Sequence, residues 1–244
     1  MALREELERT GNWFFRWRSY LPLLFFVLVL ASLNQFRAAG ENDAWDRVWE
    51  IFCLGLSLSG LFLRMVTVGS APKDTSGRNT GGQLAESLNT TGMYSIMRHP
   101  LYFGNFLIFL GFALMLRNFL FALSSVLIFW IYYERIMYAE EEFLRKKFGK
   151  QYLDWAAKVP VFLPDVRKWT PPAQRVNLRA GFGGEFHGLL LISVVFNVLE
   201  GIEGFLVEKR FVIDWMWVAV LAAGITGYLT GLVLKKKTRL LKKD

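Results

Sequence analysis

The sequence predicts an all-α fold, a polytopic membrane helix bundle of about six transmembrane helices with a cytoplasmic helix after the fourth span. Three observations predict it. Hydrophobic residues make up 53% of the 244, including 22 Phe and 9 Trp. They fall in long blocks rather than in the periodic stripes of soluble helices, as lipid-facing segments do. The Lys and Arg residues behind the net charge of +8 gather at the ends of those blocks, a positive-inside pattern that argues against nucleic acid as the partner. The single cysteine, Cys53, excludes an internal disulfide and a cysteine metal centre, and 2 His are too few for a histidine-rich one. No metal site is expected.

Residues 1–46 read as an N-terminal amphipathic segment and a first transmembrane helix. Arg4, Arg9, Arg16 and Arg18 mix with Trp13 and Trp17 ahead of an apolar run over 20–36, which falls a little short of the ~20 residues that span a bilayer. No small-residue cleavage site follows, so this run is expected to stay as an anchor. After a polar turn at 40–46, a second span covers 48–68, with Arg64 placed to snorkel from its end. Residues 69–89 read as a cytoplasmic loop able to close over a ligand; Gly81-Gly82 lacks the spacing of a phosphate-binding loop.

The third span is 101–116, Arg117-Asn118 turns the chain, and 119–133 returns as the fourth. The basic stretch 135–179 marks that side as cytoplasmic. Pro160, Pro164, Pro171 and Pro172 exclude a helix beyond about residue 158. A second hairpin, 186–207 and 215–234, ends in a basic tail, which puts both termini in the cytoplasm. Gly224, Gly227 and Gly231 offer a helix-packing face, and Glu200 and Glu203 fall near the outer interface. The chain thus divides into 1–46, a core at 47–164, a cytoplasmic linker at 165–185, and a C-terminal hairpin with its tail at 186–244.

Chemistry concentrates in two stretches, 88–104 and 134–164. In the first, Pro100 opens the third span, because proline is tolerated where its missing N–H would have no helical partner. Arg98 and His99 are therefore expected at headgroup height, with Tyr102 and Gly104 in the first turns inside and Gly104 permitting close approach of a backbone or ligand. In the second, Ile136, Phe143 and Leu144 share a helix face with Glu140 in its middle. Glu140 needs a partner, since an unpaired carboxylate on an apolar face is costly to bury. Glu141 lies at the edge of that stripe, and Glu142 points away, toward Lys146.

These stretches resemble the isoprenylcysteine carboxyl methyltransferase and phospholipid methyltransferase superfamily of integral membrane enzymes. The matching residues are Gly92, Tyr94, Arg98-His99-Pro100, Tyr102 and Gly104, then Glu140-Glu141, Leu144, Phe148-Gly149, Tyr152, Val159-Pro160 and Leu163-Pro164. The resemblance covers residues 47–164 and leaves out the C-terminal hairpin. It implies S-adenosylmethionine as cofactor and a lipid or lipid-linked acceptor, with Arg98, His99 and Glu140 as catalytic residues. It also implies donor binding by Tyr94, His99, Pro100, Tyr102, Gly104, Glu140 and Glu141.

Those residue types suit the role. A carboxylate can hold the donor's ammonium or ribose hydroxyls, and Arg98 can pair with the donor's carboxylate or with an anionic acceptor group. Tyr94 and Tyr102 can offer ring faces to a cation, and His99 can exchange a proton near neutral pH. A bacterial inner membrane is the expected location. Two alternatives stand beside this reading, an NADPH-dependent reductase of the sterol reductase type, with Lys73 and Arg78 as possible phosphate contacts, and a non-catalytic membrane protein.

Overall fold

The computed structural model describes residues 2–18, 20, 29, 43–71, 85–208, 214–238 and 241. Regular structure among the described residues is entirely helical. The elements are α1 (Leu3–Trp17), α2 (Asp43–Ser70), α3 (Met93–Ile96), α4 (Pro100–Met115), α5 (Phe119–Phe148), α6 (Lys150–Ala156), a 3-10 turn at Val166–Lys168, α7 (Leu178–Glu208) and α8 (Trp215–Lys237). Four of these, α2, α5, α7 and α8, are long and apolar enough to cross a membrane, and α4 is a shorter apolar helix. The chain is an integral membrane protein. Most of the expected first span at 20–36, most of the loop at 69–89 with Lys73, Arg78 and Gly81-Gly82, and half of the basic tail at 235–244 lie outside the described residues.

Helix α2 is central, packed between α4 and α7; α5 packs on α4, α8 on α7, and α1 along α5. The α2–α4 seam brings backbones together. A Cβ on Gly60 would lie 2.5 Å from the Gly104 carbonyl oxygen, and Ser57 Oγ donates to the Ile108 carbonyl at 3.0 Å. Small residues are how membrane helices approach closely when lipid offers no hydrophobic drive toward association. Gly224 and Gly231 do the same for α8 against Ser193 and Phe186 of α7. The apolar core continues through Phe112, Phe196 and Trp217, the last two stacked at 5.2 Å.

At the end of the bundle away from the 88–104 motif, Arg117 closes the α4–α5 turn in a left-handed conformation, φ 52°. That costs a non-glycine residue about 1–3 kcal/mol. Its guanidinium is 3.0 Å from Asp46, 3.4 Å from Glu50 and 3.6 Å from Glu203, while Arg47 joins Glu50 at 3.0 Å and Asp214 at 2.6 Å. Glu203, read as an outer-interface residue, is thus part of an ion cluster joining α2, the α4–α5 turn, α7 and the N-cap of α8.

Four expectations change. The fourth span and the cytoplasmic helix are one 30-residue helix, α5, ended by Gly149 at φ 53°. Helix α7 starts at Leu178, so the expected linker at 165–185 is helical over its last third. Arg64 does not snorkel: Glu185 and Asn105 pull it inward, as described below. Glu142 does not face solvent toward Lys146; it is buried beneath α1, 2.7 Å from Arg4 and 2.9 Å from Arg145. Lys146 pairs with Glu8 instead. Helical periodicity shows which residues share a face, not which second helix will cover it.

The seam makes a direct prediction. Gly60→Val should destabilise the protein by about 1–3 kcal/mol, the cost of overpacking, and lower its thermal unfolding midpoint in detergent. Gly55→Ala, with nothing within 4 Å of the added Cβ, should not.

Candidate active site

The motif residues converge at the mouth of α4. His99 is the N-cap of α4 and Pro100 its first residue, so the ring leaves the helix at its entrance. The segment before it is held by the chain that follows α6. The Arg98 N–H donates to the Pro160 carbonyl, the Asp165 N–H to Ile96 and the Gly92 N–H to Thr170, each at 2.9 Å. Thr170 N–H also donates to Ser95 Oγ at 2.9 Å, and Trp155 Nε1 to the Tyr94 carbonyl at 3.2 Å. The closing prolines of the motif thus sit in a backbone clamp around Arg98 and His99. Phe162, between them, reaches the rings of Phe103 and Trp130, both at 5.4 Å.

Opposite, α5 extends past Tyr133 and presents Glu140 and Glu141. Arg98 Nη1 donates to Glu141 Oε2 at 2.8 Å, and His99 Nε2 is 3.0 Å from Glu141 Oε1. His99 Nδ1 is 3.7 Å from Glu140 Oε2, and Tyr102 Oη donates to Glu140 Oε1 at 2.7 Å. The partner that Glu140 needs is therefore threefold: a hydroxyl, an imidazole and, from the end of α1, Arg18 at 3.8 Å. Burial alone would lower the His99 pKa, but hydrogen bonds and charge from Glu140 and Glu141 outweigh it and raise that pKa above the ordinary histidine value. Burial, then the Glu140 charge, pushes the Tyr94 hydroxyl up; burial, then Glu141, does so for Tyr152.

Within the bundle below this ion cluster lies a second chain of polar contacts. Arg64 Nε and Nη2 donate to Glu185 at 2.8 and 3.0 Å, and Arg64 Nη1 to Asn105 Oδ1 at 2.5 Å. Asn105 Nδ2 donates to Tyr133 Oη at 2.9 Å, and the Tyr133 ring lies 5.0 Å from that of Tyr102. Glu185 is only 5% exposed, which makes the two-bond geometry necessary, since a buried charge without a partner costs several kcal/mol.

Of the expected site residues, Arg98, His99, Tyr102, Glu140 and Glu141 form one contiguous cluster. Tyr94 is coupled to it by charge, and Pro100 is buried at the head of α4. Gly104 is one turn deeper, and its bare face meets Gly60 and Arg64 of α2; the close approach it allows is between helices. Arg18, Arg64, Asn105, Tyr133 and Glu185 were not foreseen as part of this assembly. For Arg18, Arg64, Asn105 and Glu185 the signal is a charged or amide side chain within or beside an apolar block, which marks function or pairing inside membranes; Tyr133 carries no such signal.

A model of the phospholipid methyltransferase family matches residues 49–151. The match takes in less than half of the chain, and the resemblance lies there. The chain is similar to protein-S-isoprenylcysteine O-methyltransferase B of Arabidopsis thaliana, 41% identical over 80 residues, 32% of this chain and 40% of that protein. The human protein-S-isoprenylcysteine O-methyltransferase is 31% identical over 151 residues, 58% of this chain and 51% of that one. A nickel-cobalt-cadmium resistance protein of Alcaligenes xylosoxydans xylosoxydans is 32% identical over 136 residues, 56% of this chain and 62% of that one. The chain spans about half the length of the curated relatives it matches. No solved structure matches it. The superfamily segment includes α4 and α5 with the carboxylate pair, and excludes α1, α7 and α8.

The His99 linkage has a sign. A histidine whose pKa is raised on folding stabilises the fold fully below its unfolded pKa, and this stabilisation is lost as pH rises through the folded value. Thermal unfolding in detergent from about pH 6 to 9 should therefore show a falling midpoint above the ordinary histidine range, and His99→Gln should flatten that fall.

Proposed function

We propose that the protein is an integral membrane methyltransferase that uses S-adenosylmethionine and acts on an anionic lipid or lipid-linked acceptor at the cytoplasmic membrane face. The observation that carries this reading is the cluster of Arg98, His99, Tyr102, Glu140 and Glu141 at the mouth of α4, within a segment that matches a model of the phospholipid methyltransferase family. The donor set fits the cofactor. Two carboxylates suit an ammonium and ribose hydroxyls, and Arg98 Nε is buried without a hydrogen-bond partner, a donor that the carboxylate of S-adenosylmethionine would satisfy. When bound, that cofactor supplies a methyl group on a cationic sulfonium, open to in-line attack.

The residues of the chain then have separate tasks. Arg98, Glu140 and Glu141 bind and orient, and orientation is worth much of the barrier in a displacement that needs no bond-making by the protein. The Tyr102 and Tyr133 rings, with buried Phe129 and Phe162, exclude water from one side. His99 turns both ring nitrogens toward carboxylates, which favours the protonated ring, and a protonated imidazole has no lone pair with which to remove a proton. Such a site suits an acceptor that arrives ionised, a carboxylate or a phosphate, over an ammonium that must first lose a proton.

Calorimetric titration of the detergent-purified protein with S-adenosylmethionine, and with NADPH alongside, tests the reading. S-adenosylmethionine should bind and NADPH should not, and Glu140→Gln should weaken donor binding by about tenfold or more, the loss of at least one charge-assisted contact. Binding of NADPH alone would overturn the assignment.

A further inference from the structure

We propose that the connector between α6 and α7, residues 157–177, docks on an anionic bilayer leaflet, with Leu163, Val166 and Trp169 in the acyl layer and basic residues at the headgroups. Its depth follows from Phe162. That buried ring lies 5.4 Å from Phe103 and 5.7 Å from Phe106, in the first two turns of α4, and 5.4 Å from Trp130 of α5. Helix α5 is long and apolar enough to cross a membrane, and Trp130 is on its exposed side. Beyond Tyr133 the same helix projects about 22 Å further before Gly149 ends it, so α6 and the connector bring the chain back to the bundle. Non-helical backbone at membrane depth is tolerated only where protein satisfies it. Here the Asp165 N–H donates to the Ile96 carbonyl, the Thr170 N–H to Ser95 Oγ, and the Pro160 carbonyl accepts from the Arg98 N–H. Pro160 and Pro164 have no N–H to satisfy.

With Phe162 turned into the bundle, its neighbours turn outward. Leu163 is 70% exposed, Val166 71% and Trp169 48%. Val166 and Trp169 are three apart across the 3-10 turn, the spacing at which side chains eclipse, so they share a side. A contiguous apolar patch of this kind marks a contact surface, and tryptophan suits the level of the headgroups. A soluble partner would need the patch to stand clear of the bilayer, whereas the depth of Phe162 sets it against lipid. The charges fit one kind of leaflet. Lys158, Arg167, Lys168 and Arg175 are exposed, as is Arg179 at the start of α7, and Asp165 is the one acid among them. Asp165 lies 3.4 Å from Lys168 and 4.0 Å from Arg167, yet the Arg167 side chain is 93% exposed. Such surface pairs are weak and can yield to headgroup phosphates, and Lys and Arg clustered beside a membrane helix attract anionic lipid. The surface is the outer side of the clamp around Arg98 and His99.

The test places a nitrobenzoxadiazole fluorophore on Val166→Cys in the full-length protein, reconstituted in phosphatidylcholine vesicles, and adds lipids that carry a nitroxide on the acyl chain. Cys53 is buried, so the unmodified protein serves as the labelling blank. Nitroxide lipids should quench the label at 166 and leave one at Gln151→Cys, exposed on α6, bright. Nitroxide phosphatidylglycerol should quench at about fivefold lower content than nitroxide phosphatidylcholine, the enrichment expected for one basic residue at the surface. Arg167→Glu with Lys168→Glu leaves three cations against three acids over 157–179 and should erase that preference. Arg167→Gln with Lys168→Gln should erase part of it, and keeps the comparison if the reversed pair does not fold. No quenching by either lipid would overturn the proposal in favour of water or a protein neighbour over this face. So would equal quenching by the two lipids, or a preference for phosphatidylglycerol that survives both pairs of substitutions.

Discussion

Two adjacent carboxylates on one membrane helix are costly to place against apolar neighbours, and the fold is built around meeting that cost. Glu140 and Glu141 project from α5 near the membrane boundary, where an unpaired charge would either take up a proton or pull the helix into water. Each neighbouring element supplies part of the answer. The mouth of α4 brings His99 and Tyr102, the segment before it brings Arg98, and the end of α1 brings Arg18. The clamp formed by residues 160–170 fixes the backbone at 92–98 so that these groups arrive in register. The same pairings leave a compact cluster of alternating charges at the mouth of α4.

The rest of the bundle repeats this logic with different chemistry. Arg64 and Glu185 neutralise one another inside the bundle and pass their order through Asn105 to Tyr133 and its ring contact with Tyr102. Through Glu185 on α7 the C-terminal hairpin, outside the superfamily segment, is tied to the wall of the site. At the other end, Arg117 and Arg47 gather carboxylates from α2, α7 and the N-cap of α8. Between the two ionic ends, helix contact relies on glycines and aromatic rings, because lipid tails give apolar side chains little reason to prefer a protein neighbour.

Much of this architecture is legible in residue order. The long apolar blocks, the proline at the head of α4, the turn at Arg117-Asn118 and the basic segments each follow from local physics, and boundaries for α4 and α8 come out within a few residues. The site core is legible because its residues sit in two short motifs whose intervening hairpin returns the chain to the same membrane side. What misled the reading was neighbour identity. Glu142 on an isolated helix looks solvated, and only the docking of α1 buries it against Arg4. Arg64 looks like a snorkelling end residue, and only the early start of α7 at Leu178 places Glu185 beside it.

The sequence by itself determined the helical membrane class, the hairpin that reunites Arg98 and Glu140, and the residue types of the site, because periodicity, proline placement and charge at block ends are properties of the local chain. Which cation meets which carboxylate was decided by the tertiary structure alone. Glu141 accepts from Arg98 and His99, Glu140 is held by Tyr102 with Arg18 from a helix more than a hundred residues away in sequence, and Glu185 locks Arg64. These choices depend on how close two backbones come, which glycines at 11 and 60 permit and which no one-dimensional pattern encodes.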